Sequence, residues 1–168
     1  IATARAGNVI GGGDNSLDRI VPDAISNLRN GKKINVRNPN SYRPWQHVLE
    51  CLNGYLLLCE KLHLSDNFNI DNVNFGPKEI NSKSVKELVQ LIINYWEGEW
   101  LDISNKNEPH EAKNLSLDIN KAKKLLGWEP IWDFEKTVEK TIIWYKNFYL
   151  NKVKAIDACL SDINNFTQ

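Results

Sequence analysis

The stretch NPNSYRPWQHVLE, Asn38 to Glu50, places an arginine, a tryptophan and a histidine at the entrance of a predicted apolar helix. Pro44 stiffens the backbone directly after Arg43, because the proline ring fixes φ. A rigid loop that presents a guanidinium group suits a phosphate or a carboxylate, which arginine binds through two parallel hydrogen bonds. The alternative is a surface arginine packed on Trp45. The local sequence leaves both interpretations open.

The residues around this stretch predict a mixed α/β domain, because helical and strand-like patterns alternate along the chain. Ser84 and Glu87 form the clearest helix start, a capping box. Before it, the sequence predicts a strand over residues 1–9, a glycine turn at 11–13, a helix from about Pro22 to Gly31, a strand over 33–36 and a strand at VNFG. After it come a strand at EWLDI, a short helix between Asp118 and Gly127, and a long helix capped by Asp133. A further helix follows the opening stretch, and its predicted apolar stripe is Val48, Leu52, Tyr55, Leu56, Cys59 and Leu62.

The composition narrows the class of protein. With 168 residues, the chain is long enough for one domain with a hydrophobic core. Its 21 basic and 21 acidic residues cancel, so bulk electrostatics favour neither nucleic acid nor an anionic membrane as a partner. No apolar run approaches the ~20 residues of a membrane span. The chain starts at Ile1, contains no methionine and has no signal-peptide pattern, so we expect a piece of a longer protein.

Several smaller motifs allow both a structural and a functional interpretation. The glycines of AGNVIGGGD could approach a phosphate, but their spacing fits neither a P-loop nor a dinucleotide fingerprint, which favours a turn. His110 and Glu111 could serve acid–base chemistry, although a pair without a third group favours a structural role. The thiols Cys51, Cys59 and Cys159 lack metal-site spacing and are typical of a reducing cytosol. Helical spacing assigns Trp96, Trp144 and Tyr145 to the core.

Six motifs in order resemble the C-terminal half of the nucleotide-sugar dehydratases and epimerases, which are extended short-chain dehydrogenase/reductases. They are RAGNVIGGGD, DRIVPDAI, RNPNSYRPWQHVLE, NFGP, HEAKNLSLD and KAKKLLGWEP. NVIGGGD together with RNPNSYRPWQHVLE is most similar to the CDP-glucose 4,6-dehydratase branch. The resemblance implies an α/β fold in which residues 1–150 comprise the last strands of a Rossmann-type sheet and a smaller mixed α/β substrate-binding domain. Residues 151–168 are expected to form a loosely attached tail, and the N-terminal NAD-binding Rossmann part is absent.

The resemblance also implies roles for individual residues. Arg43 corresponds to the arginine that contacts the diphosphate of the nucleotide sugar. The remaining implied substrate contacts are Asn8 at the sugar or diphosphate, Arg19 beside the nucleotide, Val36, Arg37 and Asn38 at the base and ribose, and His110 and Glu111 on a late substrate loop. Ala6 and Gly7 are expected near the nicotinamide ring.

The implied reaction converts CDP-glucose into CDP-4-keto-6-deoxyglucose for deoxysugar and O-antigen biosynthesis, in a cytoplasmic enzyme that forms a homodimer or larger homo-oligomer. NAD takes a hydride from C4 of glucose, water leaves across C5 and C6, and the hydride returns to C6. The family's glycine-rich NAD turn and its Tyr-x-x-x-Lys pair are missing here. We therefore expect this chain to bind substrate without performing the chemistry.

Two other classes remain open at this point. One is a relative that acts on another nucleotide sugar, and the second is a non-catalytic module that binds a nucleotide sugar or a protein partner. A GxxGxxG turn and a YxxxK pair encoded upstream would identify an enzyme, and their absence would identify a module.

Overall fold

The computed structural model describes residues 1–64, 68–78, 82–105 and 114–168, in which short strands alternate with longer helices. The strands are β1 (Thr3–Ala6), β2 (Asn8–Ile10), β3 (Ile34–Val36), β4 (Tyr42–Arg43), β5 (Trp45–His47), β6 (Asn72–Phe75), β7 (Lys83–Ser84) and β8 (Trp100–Asp102). The helices are α1 (Ile20–Arg29), α2 (Val48–Leu64), α3 (Val85–Tyr95), α4 (Asn120–Leu126), α5 (Phe134–Tyr149) and α6 (Ala155–Phe166).

The strands form short pairs, most of them parallel. β1 pairs with β6, β2 with β5 and β3 with β8 in parallel, whereas β4 and β7 are antiparallel. Parallel neighbours need a crossover connection, which is usually helical. Here α2 lies within the connection between β1 and β6, and α3 within that between β3 and β8. The predicted α/β class is confirmed.

The helix ends follow local rules that the sequence already displays. The Ser84 hydroxyl accepts a hydrogen bond from the Glu87 backbone N–H, and the Glu87 carboxylate accepts one from the Ser84 N–H, which completes the predicted capping box at α3. Asp133 caps α5 by accepting from the Lys136 N–H. Gly127 ends α4 with a φ of 67°, a left-handed conformation that suits glycine.

The predicted buried face of α2 was wrong. Most residues of the expected stripe point outward, and Leu52 and Leu56 are among the exposed large apolar side chains. The helix instead buries Glu50, Cys51, Gly54 and Leu58. A Cβ at Gly54 would lie 2.4 Å from the Phe75 ring, so the glycine lets α2 approach β6 closely. Shape at the helix–sheet contact, rather than the number of leucines, selects the face that packs.

The beginning of the chain also differs from expectation. The single strand predicted over residues 1–9 is two strands, β1 and β2, with different partners. Gly7 lies between them, and a Cβ there would come within 2.6 Å of the Pro44 carbonyl oxygen. Helix α1 begins at Ile20, so Pro22 stands in its first turn, where its missing N–H leaves no bond unmade.

Residues 151–168 contain an ordered helix, although the sequence predicts a loosely attached tail. Helix α6 buries Ala158, Asp162 and Phe166, which recur every fourth residue and therefore share one face. The Phe166 ring packs edge-on against Trp132, with 5.1 Å between ring centroids. Contacts with α5 and Trp132 hold this segment on the body of the domain.

Two apolar clusters form the core of the described residues. The larger is built from α1, α3, α5 and their neighbouring strands, and it contains Trp96, Trp144 and Tyr145 as predicted. The smaller surrounds Phe75 and Trp128, whose rings meet edge-on at 5.0 Å beneath α2 and α4. Among the helices that the structure describes, none combines the length and apolar character needed to span a membrane.

Candidate functional site

A cavity of about 770 Å³ opens where β2 and β3 meet the beginning of α1, with β4, β5 and the first residue of α3 completing its wall. This volume lies in the range typical of small-molecule sites. Its lining mixes apolar residues with arginines and aspartates, so the cavity suits a ligand that is part polar and part apolar.

The cavity brings together residues that are distant in the sequence. Seven of the ten predicted site residues line it, namely Gly7, Asn8, Arg19, Val36, Arg37, Asn38 and Arg43. Ala6 ends β1 and lies outside the lining. His110 and Glu111 fall outside the described residues. The individual roles implied by the resemblance stay predictions, but most of the residues share one site.

Arg43 is a buried part of the cavity wall, so the alternative of a surface arginine was wrong. Its residue is 7% exposed, and its Nη1 donates a hydrogen bond to the Tyr42 carbonyl oxygen at 2.9 Å. The neighbouring Trp45 is also buried and donates from Nε1 to the Lys83 carbonyl oxygen at 3.0 Å. Both side chains are thereby held by backbone groups of β4 and β7, which fixes the position of the guanidinium group.

The other two cavity arginines are held more loosely. Arg19 lies 3.8 Å from the Asp14 carboxylate, and Arg37 lies 3.4 Å from that of Asp18. Both arginine side chains are well exposed, and exposed ion pairs contribute little to stability. Each arginine can therefore exchange its carboxylate for a ligand phosphate at little cost.

Sequence reasoning missed the acidic residues of the cavity. Asp14, Asp18 and Asp23 all contribute to its lining. Burial, together with the nearby Asp18 carboxylate, raises the pKa of Asp23, although Arg37 opposes the shift. The sequence feature that could have indicated them is the motif DNSLDRIVPD, which places three aspartates just before and within the first turn of α1. The cavity thus carries three arginines and three aspartates.

The glycine turn at residues 11–13 is fixed by α5. A Cβ at Gly12 would lie 2.0 Å from the Trp144 ring, so only glycine fits there. The Tyr145 hydroxyl donates to the Asp14 carbonyl oxygen at 2.7 Å, and the Tyr149 hydroxyl donates to Asn15 Oδ1 at 3.2 Å. The prediction of a turn is confirmed, and its glycines serve close packing.

Two other polar residues near the cavity wall, His47 and Glu50, are buried and contact the segment that precedes α5. His47 is 2% exposed and its ring lies 4.8 Å from that of Trp132. Burial, reinforced by the charge of Lys140, lowers the pKa of His47 to about 4, so the imidazole is neutral at physiological pH. The buried Glu50 carboxylate accepts hydrogen bonds from the backbone N–H groups of Ile131 and Trp132. These residues therefore hold the loop before α5.

Metal chemistry finds no support in the side chains that the structure describes. No group of three or more histidine, cysteine, aspartate or glutamate residues in these ranges is arranged to hold a metal ion.

Comparison with known proteins identifies the family of this chain. Residues 10–141 match the family model described as GDP-mannose 4,6 dehydratase. Over 148 residues the chain is 40% identical to CDP-glucose 4,6-dehydratase of Salmonella typhimurium, covering 87% of this chain and 41% of that enzyme. It is 27% identical over 139 residues to dTDP-glucose 4,6-dehydratase of Haemophilus influenzae, covering 76% of this chain and 40% of that enzyme. The chain thus spans about two fifths of the length of these curated relatives.

Solved structures give the same fold. UDP-glucuronic acid 4-epimerase from Bacillus cereus, in complex with UDP-glucuronic acid and NAD, superposes with a TM-score of 0.73 at 20% identity, covering 88% of this chain and 46% of that one. dTDP-glucose 4,6-dehydratase from Bacillus anthracis, in complex with NAD, superposes with a TM-score of 0.71 at 21% identity, covering 87% and 44%. From the family match and this Rossmann-type extended short-chain dehydrogenase/reductase fold, we conclude that the chain belongs to the GDP-mannose 4,6 dehydratase family.

Proposed function

We propose that this chain is the nucleotide-sugar-binding part of an NAD-dependent CDP-glucose 4,6-dehydratase. The observation that carries the proposal is the convergence of Arg19, Arg37 and Arg43 on one cavity. The 40% identity to a CDP-glucose 4,6-dehydratase supports the choice of nucleotide sugar within the family.

Arg43 is the anchor for the diphosphate in this proposal. Its guanidinium group is buried and fixed by the Tyr42 carbonyl, so little side-chain entropy is lost when a ligand binds. A planar guanidinium can bind two phosphate oxygens at once, whereas lysine offers a flexible point charge. Arg19 neutralises remaining phosphate charge after leaving the half-buried Asp14 carboxylate, and Arg37 adds positive charge at the neighbouring wall of the cavity.

The other predicted residues complete the site around this anchor. Asn8 uses its backbone N–H to bind the Pro44 carbonyl oxygen at 3.0 Å, which positions its side chain for the sugar or the diphosphate. We assign the base and ribose to the wall formed by Val36, Arg37 and Asn38. In this arrangement the sugar lies toward β2 and the base toward β3.

The described residues do not by themselves fit a dinucleotide. The glycine at position 7 is explained by the Pro44 carbonyl oxygen, which a Cβ would approach to 2.6 Å, so it needs no nicotinamide ring beside it. The chain also lacks a dinucleotide-binding glycine motif and the Tyr-x-x-x-Lys pair. We therefore place NAD binding and the acid–base residues in the part of the relatives that this chain does not span, and assign no catalytic step to it.

Titration of CDP-glucose against the full-length protein tests the proposal. We expect Arg43→Ala to weaken binding by roughly 2–5 kcal/mol, as is typical when one partner of a buried charge pair is removed, and Arg43→Lys to weaken it less. Arg5→Ala is the matched control, because Arg5 is an exposed arginine on β1 outside the cavity lining. An Arg43→Ala affinity within twofold of wild type would make Arg43 a packing residue.

The competing interpretations predict different ligands and products. Tighter binding of another nucleotide sugar would indicate a different specificity within the family, and binding without turnover by the full-length protein would indicate a module. For the enzyme, we expect a 4-keto-6-deoxy sugar from CDP-glucose and NAD with the full-length protein, and none with the 168-residue chain alone. We further propose that the full-length enzyme is a homodimer or larger homo-oligomer, which sedimentation analysis tests.

A further inference from the structure

Asp23 occupies a distinctive position among the acidic residues of the cavity. It lies in the first turn of α1, is half-buried and faces the same cavity as Asn35 and Val36 of β3. The charges of Asp18 and Arg37 act on it electrostatically. Asp23 is therefore placed beside the wall that we assign to the base.

Before a ligand binds, the other two acids of the cavity each have an arginine partner. Asp14 pairs with Arg19, and Asp18 pairs with Arg37. Asp23 has no ion pair within 4.0 Å in the part of the chain that the structure describes. A carboxylate beside a diphosphate would repel it, so a half-buried aspartate in this wall suits a ligand group that donates a hydrogen bond.

Cytosine offers such a group where uracil and thymine do not. It carries an amino group at C4, which donates hydrogen bonds, whereas the other two pyrimidines carry an accepting carbonyl oxygen there. An ionised carboxylate can only accept, so it complements cytosine and repels the oxygen of uracil. Aspartate accepting from the cytosine amino group is an established pairing in nucleic-acid recognition.

We propose that Asp23 selects cytosine nucleotides by accepting a hydrogen bond from the cytosine amino group. The inference rests on the proposed function, because it requires the cavity to hold a nucleotide sugar. It adds the residue that distinguishes CDP from UDP and dTDP derivatives. Asp23 is a specificity residue in this role and takes no part in the chemistry.

Competitive titration of the full-length protein with CDP and UDP tests the inference, since these ligands share the ribose and the diphosphate. We expect wild type to bind CDP about tenfold or more tightly than UDP. Asp23→Leu should reduce the ratio of the two affinities to near one, mainly by weakening CDP binding. Asp23→Asn, which preserves shape, should also lower the ratio because its amide can present either a donor or an acceptor.

Asp18→Asn is the matched control, since it removes a negative charge from the same cavity. It should change both affinities by the same factor and leave their ratio unaltered, because a long-range charge effect does not depend on the base. A CDP preference that survives in both Asp23 variants would overturn the inference. Equal wild-type binding of CDP and UDP would also overturn it while leaving the nucleotide-sugar site intact, and failure to bind either ligand would overturn both proposals.

Discussion

Asp162 offers a quantitative test of how helix α6 is held on the domain. Its residue is 9% exposed, and burial raises the pKa of its carboxyl group from 3.8 to about 6, although Lys140 opposes the shift. The ionised carboxylate therefore destabilises the folded protein, because the unfolded chain leaves it in water. We expect Asp162→Asn, which has the same shape and no charge, to stabilise the protein at neutral pH.

The magnitude follows from the size of the shift. About two pKa units correspond to up to about 3 kcal/mol at neutral pH, since one unit is about 1.4 kcal/mol. Because the folded-state pKa lies above the unfolded value of 3.8, the folded protein binds more protons than the unfolded chain between pH 3.8 and about pH 6. The contribution of Asp162 to stability therefore falls as the pH rises through this window. The gain from Asp162→Asn should be largest above about pH 7 and vanish below about pH 4.

Urea unfolding at a series of pH values measures this gain directly. Asp157→Asn is the control, because Asp157 is exposed on the same helix and its removal relieves no burial. The control should give no stabilisation. A gain for Asp162→Asn that is the same at every pH, or no gain above about pH 7, would refute the reasoning that the buried charge is responsible.

Three further predictions concern the packing around the site. Glu50→Ala leaves the buried N–H of Trp132 and the neighbouring N–H of Ile131 without their acceptor, so it should lower the free energy of unfolding by about 2–5 kcal/mol. Glu50→Gln should lower it less, and equal losses for the two variants in urea unfolding would contradict this. Gly12→Ala should cost about 1–3 kcal/mol through overlap with Trp144, and the cost should shrink in a Trp144→Leu background; strictly additive losses would exclude the clash. The exposed leucines of α2 should make the 168-residue chain bind a hydrophobic dye, and Leu56→Ser should reduce that binding without loss of stability; unchanged fluorescence would locate the apolar surface elsewhere.

The sequence predicts best what neighbouring residues determine. The capping box at Ser84, the cap at Asp133 and the left-handed stop at Gly127 each depend on atoms within a few residues, and the structure contains all three. Asp118 lies one residue before the N-cap of α4, which is Ile119. Its side chain accepts a hydrogen bond from the N–H of Asn120, the first residue of the helix. These ends are thus set by hydrogen bonds between residues that are close in the sequence.

Features that depend on distant parts of the chain were harder to predict. The face that α2 buries depends on the fit of Gly54 against Phe75, and a helix with leucines on several sides leaves that choice open. The order in α6 comes from Trp132 and α5, so its own sequence pattern gave little indication. At the site, the local sequence left open whether Arg43 is a surface residue or a binding residue, and only the fold shows that it lines the cavity.

The acids of the cavity escaped prediction for a similar reason. Asp18 meets Arg37 across 19 positions of sequence, and only the folded backbone brings them together. Asp23 becomes a cavity residue because α1 lies against β3, which its apolar neighbours in the sequence do not reveal.

The attachment of the glycine turn to α5 has a consequence for attempts to change the ligand that this cavity accepts. The turn beside the cavity is positioned by the Trp144 ring and by the Tyr145 hydroxyl, neither of which lines the cavity itself. A mutant library restricted to lining positions would leave both of these α5 contacts unchanged. Covariation between positions 12 and 144 among homologues should appear wherever the ring is replaced by a smaller side chain, since space for a Cβ would then become available. Engineering of specificity should therefore randomise one face of α5 together with the wall.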